Sequence, residues 1–417
     1  FKSIKLKRLF LKDAVKKIRS DFPFFYKKRA SPNIIYFDNA ATTQKPNSVI
    51  SAISEFYESY NSNVHRGEHL LAGRATQTFE QTRKLVKKHI NAESEEEIIF
   101  TSGATQSINL VANSFTNAFL KRGDVVLLGE MEHHANIVPW QLACKKRGVK
   151  IKKISINSDG TIDLNGLRSD IVDNVKLVAF QHISNVTGLQ NHIKEIVHIC
   201  KKNNVYTCID GSQAVAHEKI DVQNIDCDFY CFSGHKCFGP TGTGVLYGKR
   251  ALLNAMPPYM GGGEMIELVS FKKSSWNRLP YKFEAGTPNI AGFIGLGQAL
   301  LYINKIGLSE IKKLENELAV VLYNEIKKIN NIIFYSKKGE GIPICTFNIK
   351  GLHSYDLGTL LNEQGVCVRT GHLCAQPATS LFNTHSFIRV SLCFYNTKEE
   401  IYRFIKCLKR AIQILSK

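Results

Sequence analysis

Residues 209–250 read IDGSQAVAHEKIDVQNIDCDFYCFSGHKCFGPTGTGVLYGKR. The stretch joins three strand candidates: an apolar run, 205–210, that ends on Asp210; an aromatic run, 229–233, that ends on Ser233-Gly234-His235-Lys236; and 244–247, entered through the glycine-rich Gly239-Pro240-Thr241-Gly242-Thr243-Gly244. Strands that deliver an acid and a lysine to their carboxyl ends, separated by a helix-compatible segment, predict an α/β protein. Its sheet is mostly parallel, with ligands at the carboxyl edge.

Working outward, further strands are predicted at 97–101, 124–129, 150–156 and 176–181, making a seven-stranded sheet. Helices are predicted at 47–60, 76–91, 106–120, 139–147 and 193–203. The texture changes near residue 290. Long amphipathic helices at 308–329 and 398–416 flank strands at 343–349 and 387–391, with 336–342 a loop, which predicts a smaller α+β domain. The expected division is a large domain over 31–300, with 1–30 and 301–417 forming the small domain and a basic N-terminal arm.

Three elements carry chemistry together. Ser102-Gly103-Ala104-Thr105 lies between a strand and a helix start, where free N–H groups suit a phosphate; alone, it reads first as an ordinary N-cap. Asp210 at a strand end can pair with a protonated ring nitrogen, or can simply cap a helix. Lys236, held at a strand end beside four glycines, can be desolvated until its free amine forms a Schiff base. A phosphate cradle, an acid for a pyridinium nitrogen and a Schiff-base lysine are the attachments that pyridoxal 5′-phosphate (PLP) requires.

The quoted segment resembles the cofactor core of fold-type I PLP enzymes, specifically the cysteine desulfurases of the class V aminotransferase family. Arg369-Thr370-Gly371-His372-Leu373-Cys374-Ala375-Gln376-Pro377 resembles the compact catalytic-cysteine loop of the SufS-type (group II) enzymes rather than the longer NifS/IscS-type loop. The resemblance runs in order through Tyr36–Ala41, Asn63–Gly67, Met131–Trp140, Ser184–Gly188, Gly261–Ile266, Phe283–Asn289 and Arg389–Ser391. Gln106 stands where bacterial relatives carry an acid, and Cys237 is an added thiol beside Lys236.

The resemblance implies a homodimer that converts L-cysteine to L-alanine, leaving a persulfide on Cys374 and passing sulfur to a SufE-like acceptor for iron–sulfur cluster assembly. It implies that Lys236 holds PLP and shuttles protons, that Asp210 keeps the ring nitrogen protonated, that His133 stacks on the ring and that Gln213 reaches the ring oxygen. Phosphate would be held by Ala104, Thr105, Ser233 and His235, with Thr287 of the partner subunit. Arg389 would clamp the substrate carboxylate, as a guanidinium can do bidentately, with Asn185 and Arg369 assisting; His65 and Arg66 would line the mouth without an assigned role. No metal centre is expected. Selenocysteine is a rival substrate on this scaffold. An aminotransferase would share the PLP site but has no need of Cys374.

Charge and composition narrow the alternatives. The formal net charge is +19, yet residues 1–29 hold eleven of the 55 Lys/Arg and two of the 36 Asp/Glu, so +9 sits in that arm. The body is therefore mildly basic, without a basic stripe interleaved with aromatics, and nucleic acid is not an expected partner. No apolar run approaches the ~18 residues of a membrane span, so no membrane partner is expected. The acid-poor arm reads as the remnant of an organelle transit peptide, plastid- or apicoplast-like, or as an amphipathic helix (Ile4, Leu6, Leu9, Phe10, Val15, Ile18) of a cytoplasmic protein. Eleven cysteines without a C-x-x-C pair read as reduced core thiols of an intracellular protein rather than as a disulfide framework or zinc site.

Overall fold

A computed structural model describes residues 15–27, 34–337 and 341–416. Its large sheet has seven strands: β1 (Ile98–Thr101), β2 (Val125–Leu128), β3 (Lys150–Lys153), β4 (Val175–Gln181), β5 (Tyr206–Asp210), β6 (Phe229–Ser233) and β7 (Gly244–Gly248). They lie in the order β1-β7-β6-β5-β4-β2-β3, all parallel except β7. Helices cover both faces, so successive residues of one strand enter two cores. Ile209 and Tyr230 face one, while Cys208, Phe229 and Cys231 face the other. That double burial is why the strands read as unbroken apolar runs rather than alternating ones.

The lysine-rich β3 sits at the sheet edge and stops at Lys153, short of the expected residue 156; charge on an edge strand discourages pairing with other chains. The helix expected at 76–91 runs over Leu70–Ile90. It is capped by His69, whose ring accepts the Ala72 N–H at 3.3 Å, and it ends at left-handed Asn91. Leu70 and Leu71 are exposed, so its first turn carries no amphipathic signal. The helix Ile290–Ile306 escaped the periodicity reading for the opposite reason. It is apolar on nearly all sides because it is buried on nearly all sides. It and Leu308–Ile326 are a bent pair, and among the described residues no single helix is long and apolar enough to cross a membrane.

The second sheet is antiparallel and four-stranded. In chain order it comprises β10 (Ile332–Phe334), β11 (Ile344–Ile349), β12 (Arg369–Gly371) and β13 (Phe387–Ser391), arranged β10-β11-β13-β12, after an exposed hairpin β8 (Ile266–Val269) and β9 (Ser274–Trp276). Ile35 and Phe37 pack into this smaller core, and Ile35–Tyr36 pairs with Val366–Cys367. Helix Leu308–Ile326 gives Ile311 and Leu314 to the large core but Leu318, Leu322 and Ile326 to the small one, so the two bodies share that helix. Of the N-terminal arm, Val15 and Ile18 pack on the large core near Phe22, and Arg19 pairs with Glu400 at 2.6 Å; Ile4, Leu6, Leu9 and Phe10 lie outside the described residues.

Candidate active site

A cavity of about 240 Å³ opens where the carboxyl ends of β5 and β6 face the small sheet. It is lined by Asp210 and Ser212 from the end of β5, Ser233, His235 and Lys236 from the end of β6, and Ala104 and Thr105 at the start of helix Ala104–Phe119. His133, Asn185, Arg369, Leu373, Cys374 and Arg389 close it from the other sides. Segments more than 250 residues apart thus share one opening.

The helix Ala104–Phe119 begins without a side-chain cap at Gly103, so its N-terminal dipole points into the cavity; the Ala104 N–H is held by Ser233 Oγ at 2.8 Å. This approach needs a glycine across from it. A Cβ on Gly244 would lie 2.3 Å from the Gly103 Cα. Asp210 is buried, and among the described residues its carboxylate accepts one hydrogen bond, from the Ser212 N–H at 2.9 Å.

Burial pushes the Lys236 ammonium below the usual lysine range, although Asp210 pulls the other way. Burial and then Lys236 push His133 down to about 4, and its Nδ1 accepts the Ala135 N–H at 3.1 Å, so the neutral ring carries its proton on Nε2. His235 is likewise pushed down to about 4, by burial and then Lys236.

Arg369 and Arg389 are register partners on adjacent strands β12 and β13, and both meet Asp38. Arg369 reaches the carboxylate with Nε at 3.0 and 3.1 Å and Nη2 at 2.7 Å, and Arg389 Nη2 donates to it at 3.3 Å. Asp38 bridges to Ser391 on the same sheet, which brings it there. Arg389 is only 2% exposed and its Nη1 donates to the Asn185 carbonyl at 2.8 Å. Its Nε, and the side-chain oxygen of Asn185, are buried without a partner among the described residues, so a donor and an acceptor are both left free beside the cavity.

Cys374 is the one cysteine among eleven that is exposed; eight are buried and two are half-buried. It sits on a short loop between β12 and helix Gln376–Leu381, and both Leu373 (φ 55°) and Cys374 (φ 54°) are left-handed. That conformation costs a non-glycine residue about 1–2 kcal/mol, so the loop must be held. Asn185 Nδ2 donates to the Leu373 carbonyl at 2.8 Å, and the Cys374 N–H donates to His372 Nδ1 at 3.2 Å. Cys237, by contrast, is buried with its thiol directed at the Gly234 carbonyl (3.2 Å) and pushed up to about 12 by burial.

Four of the singled-out residues lie elsewhere. Gln213 is buried behind the site, with Nε2 donating to the Ala40 carbonyl at 2.8 Å. Thr287 is exposed in a turn outside the cavity. His65 contacts Glu80 at 2.9 Å and Glu264 at 3.1 Å, and Arg66 also meets Glu264 at 3.1 Å. Asp38 and His134 lie within sequence motifs that by themselves assign them no role. Their functional signal is a spatial one, the partners they meet across the chain.

A family model described as Aminotransferase class-V matches residues 35–404. A cysteine desulfurase of Wigglesworthia glossinidia brevipalpis is 45% identical over 403 residues, 96% of this chain and 98% of its own length. The crystal structure of the Escherichia coli cysteine desulfurase CsdA (S-sulfonic acid) is 34% identical with a TM-score of 0.90, covering 96% of this chain and 99% of that one. The apo cysteine desulfurase of Thermococcus onnurineus NA1 is 35% identical with a TM-score of 0.90, covering 96% and 98%.

Proposed function

Because this chain belongs to the class V aminotransferase family, and matches cysteine desulfurases over nearly its whole length, we propose that it is a PLP-dependent L-cysteine desulfurase that leaves the sulfur on Cys374. The observation that carries this reading is that Cys374 and Lys236 open on one cavity. The residues fit the cofactor: a helix N-terminus without a side-chain cap from Gly103, with Ser233 and His235, for phosphate, Asp210 for a protonated ring nitrogen and a buried Lys236 whose ammonium is destabilised by burial. When bound, PLP supplies an aldehyde for the lysine amine and a ring that accepts electrons from the substrate α-carbon.

The chain's own groups then divide the work. Arg389, with its free Nε, and Asn185, with its free side-chain oxygen, bind the substrate's polar groups, while Asp38 holds Arg369 and Arg389 side by side. Lys236 Nζ, whose hold on a proton is weakened by burial, takes up and returns a proton. His133 offers an N–H at Nε2. The Cys374 thiolate attacks the sulfur of L-cysteine: an S–S bond forms, the C–S bond breaks with its electron pair going to carbon, and that carbon leaves protonated in L-alanine. The products are alanine and a Cys374 persulfide, with no external oxidant.

The finer reading is a SufS-type enzyme that hands its persulfide to a SufE-like protein in iron–sulfur cluster assembly. The short loop carrying Cys374 supports it, since the exposed sulfur is offered directly to an acceptor. A homodimer is part of this reading, with Thr287 of the partner subunit at the phosphate. The basic, acid-poor first 29 residues support a plastid-type organelle.

The test is alanine formation from L-cysteine by the PLP-loaded protein, with and without a SufE-type acceptor. Turnover should rise with the acceptor and vanish in Cys374→Ser. If the serine variant releases alanine at the wild-type rate, the persulfide reading is wrong.

A further inference from the structure

The loop that carries Cys374 is fastened to the large domain by one residue at two points. The His134 main-chain N–H donates to the Cys374 carbonyl at 2.7 Å, and the imidazole Nε2 of the same residue accepts the Gln376 N–H at 3.0 Å. His134 opens a short turn, His134–Asn136, directly after His133. That turn is itself bolted down: buried Glu132 accepts the Gln181 N–H at 3.0 Å and Asn136 Nδ2 at 2.7 Å, and Asn136 Oδ1 accepts the Trp140 indole N–H at 3.1 Å. The His134 ring also lies 5.4 Å from that of His372, whose Nδ1 accepts the Cys374 N–H.

We propose that His134 is a positioning residue for the sulfur nucleophile, clamping the loop main chain at two points directly after the Cys374 side chain, where Asn185 holds the Leu373 carbonyl directly before it, and setting its place relative to His133. The clamp supplies what two consecutive left-handed residues, Leu373 and Cys374, do not supply for themselves. Gln376 is exposed, so losing the imidazole acceptor lets water satisfy its N–H and costs the fold little. What is lost is the placement of the thiol, and displacement by about 1 Å can cost on the order of a hundredfold in rate.

The inference rests on Cys374 as nucleophile and is tested on holoenzyme in two measurements. The first is hydrogen exchange of the amides of residues 372–381, which needs no desulfurase chemistry. The second is single-turnover alanine formation with kcat and KM for L-cysteine. In His134→Ala the Gln376 amide should lose protection. Alanine formation should fall tenfold or more with KM changed less than about twofold, while the visible band of the Lys236-bound cofactor stays in place. His134→Gln, whose side-chain oxygen can accept near the Nε2 position, should recover most of both. Gln376→Pro removes the same N–H from the other side and should reproduce the alanine variant, which keeps the test open if His134→Ala does not fold. Unchanged exchange in His134→Ala, lost protection with unchanged turnover, or a glutamine variant no better than alanine would each overturn the proposal. Wild-type alanine release by Cys374→Ser would instead strike the nucleophile assignment beneath it.

Discussion

Replacing Arg389 by lysine or methionine separates substrate binding from fold stability. The guanidinium is 2% exposed, and burial pushes it down to about 10, so it remains a cation at neutral pH inside a poorly solvated site. It donates Nη1 to the Asn185 carbonyl at 2.8 Å and Nη2 to Asp38 at 3.3 Å, and its Nε is free for a ligand. An ammonium at this position is a single point charge that cannot keep both contacts and also present a planar pair of N–H groups. A hydrogen bond to a charged group contributes about 1.5–3 kcal/mol. Losing one such contact to the substrate carboxylate therefore corresponds to roughly 10- to 100-fold in affinity.

Arg389→Lys should raise KM for L-cysteine by that factor, with a smaller fall in kcat because Lys236 and Cys374 are untouched. Arg389→Met should abolish measurable saturation, yet unfold at a temperature equal to or above wild type. The reason is that removing a desolvated cation offsets two lost hydrogen bonds, and Asp38 keeps its Arg369 partner. The assay is initial-rate alanine formation against cysteine concentration, paired with thermal melting. A lysine variant whose KM stays within twofold of wild type would refute the carboxylate role.

Other outcomes follow from the same geometry. Glu132 is buried and pushed up to about 8 by burial, so it is neutral in the folded protein where the unfolded chain is ionised. Stability should therefore fall as pH rises from about 4.5 to 8, and Glu132→Gln should flatten that slope in melting experiments. Glu284 accepts Arg83 Nη1 and Nη2 at 2.7 and 3.0 Å and the Phe100 N–H at 2.6 Å, with Arg83 itself 1% exposed. Glu284→Ala removes the acceptor of the Phe100 N–H and one of the two carboxylates on Arg83, which keeps Glu80 at 2.7 Å and the Ile98 carbonyl at 2.8 Å, and should cost about 1–3 kcal/mol in denaturant unfolding. In native protein treated with iodoacetamide, peptide mass spectrometry should find Cys374 modified first, and Cys237 unmodified until the chain unfolds, because its thiol is buried and pushed up to about 12.

Much of the fold is legible in the chain itself. The strand 229–233 is found where it was expected and 205–210 is one residue shorter; both have apolar runs bounded by polar turn residues. Helices with one buried face, such as Lys398–Leu415 with its Thr397–Glu400 capping box, announce themselves by spacing. Ile290–Ile306 does not, since a helix enclosed on all sides has no polar face to mark it.

The order of Ser102–Thr105, Asp210 and Lys236 along alternating strands and helices was enough to specify an α/β sheet with an anion-binding, lysine-bearing edge, because those signals are local. Strand ends and helix starts fall where the sequence puts them, and the parallel topology gathers them. Asp38 joining residues 331 and 351 positions away, Asn185 holding a carbonyl 188 positions on and His134 fastening an amide 242 positions on were decided only in three dimensions. Such contacts leave no periodicity in the chain, since they depend on where the small antiparallel sheet docks against the large one, and it is that docking which puts Cys374 and Lys236 in one cavity.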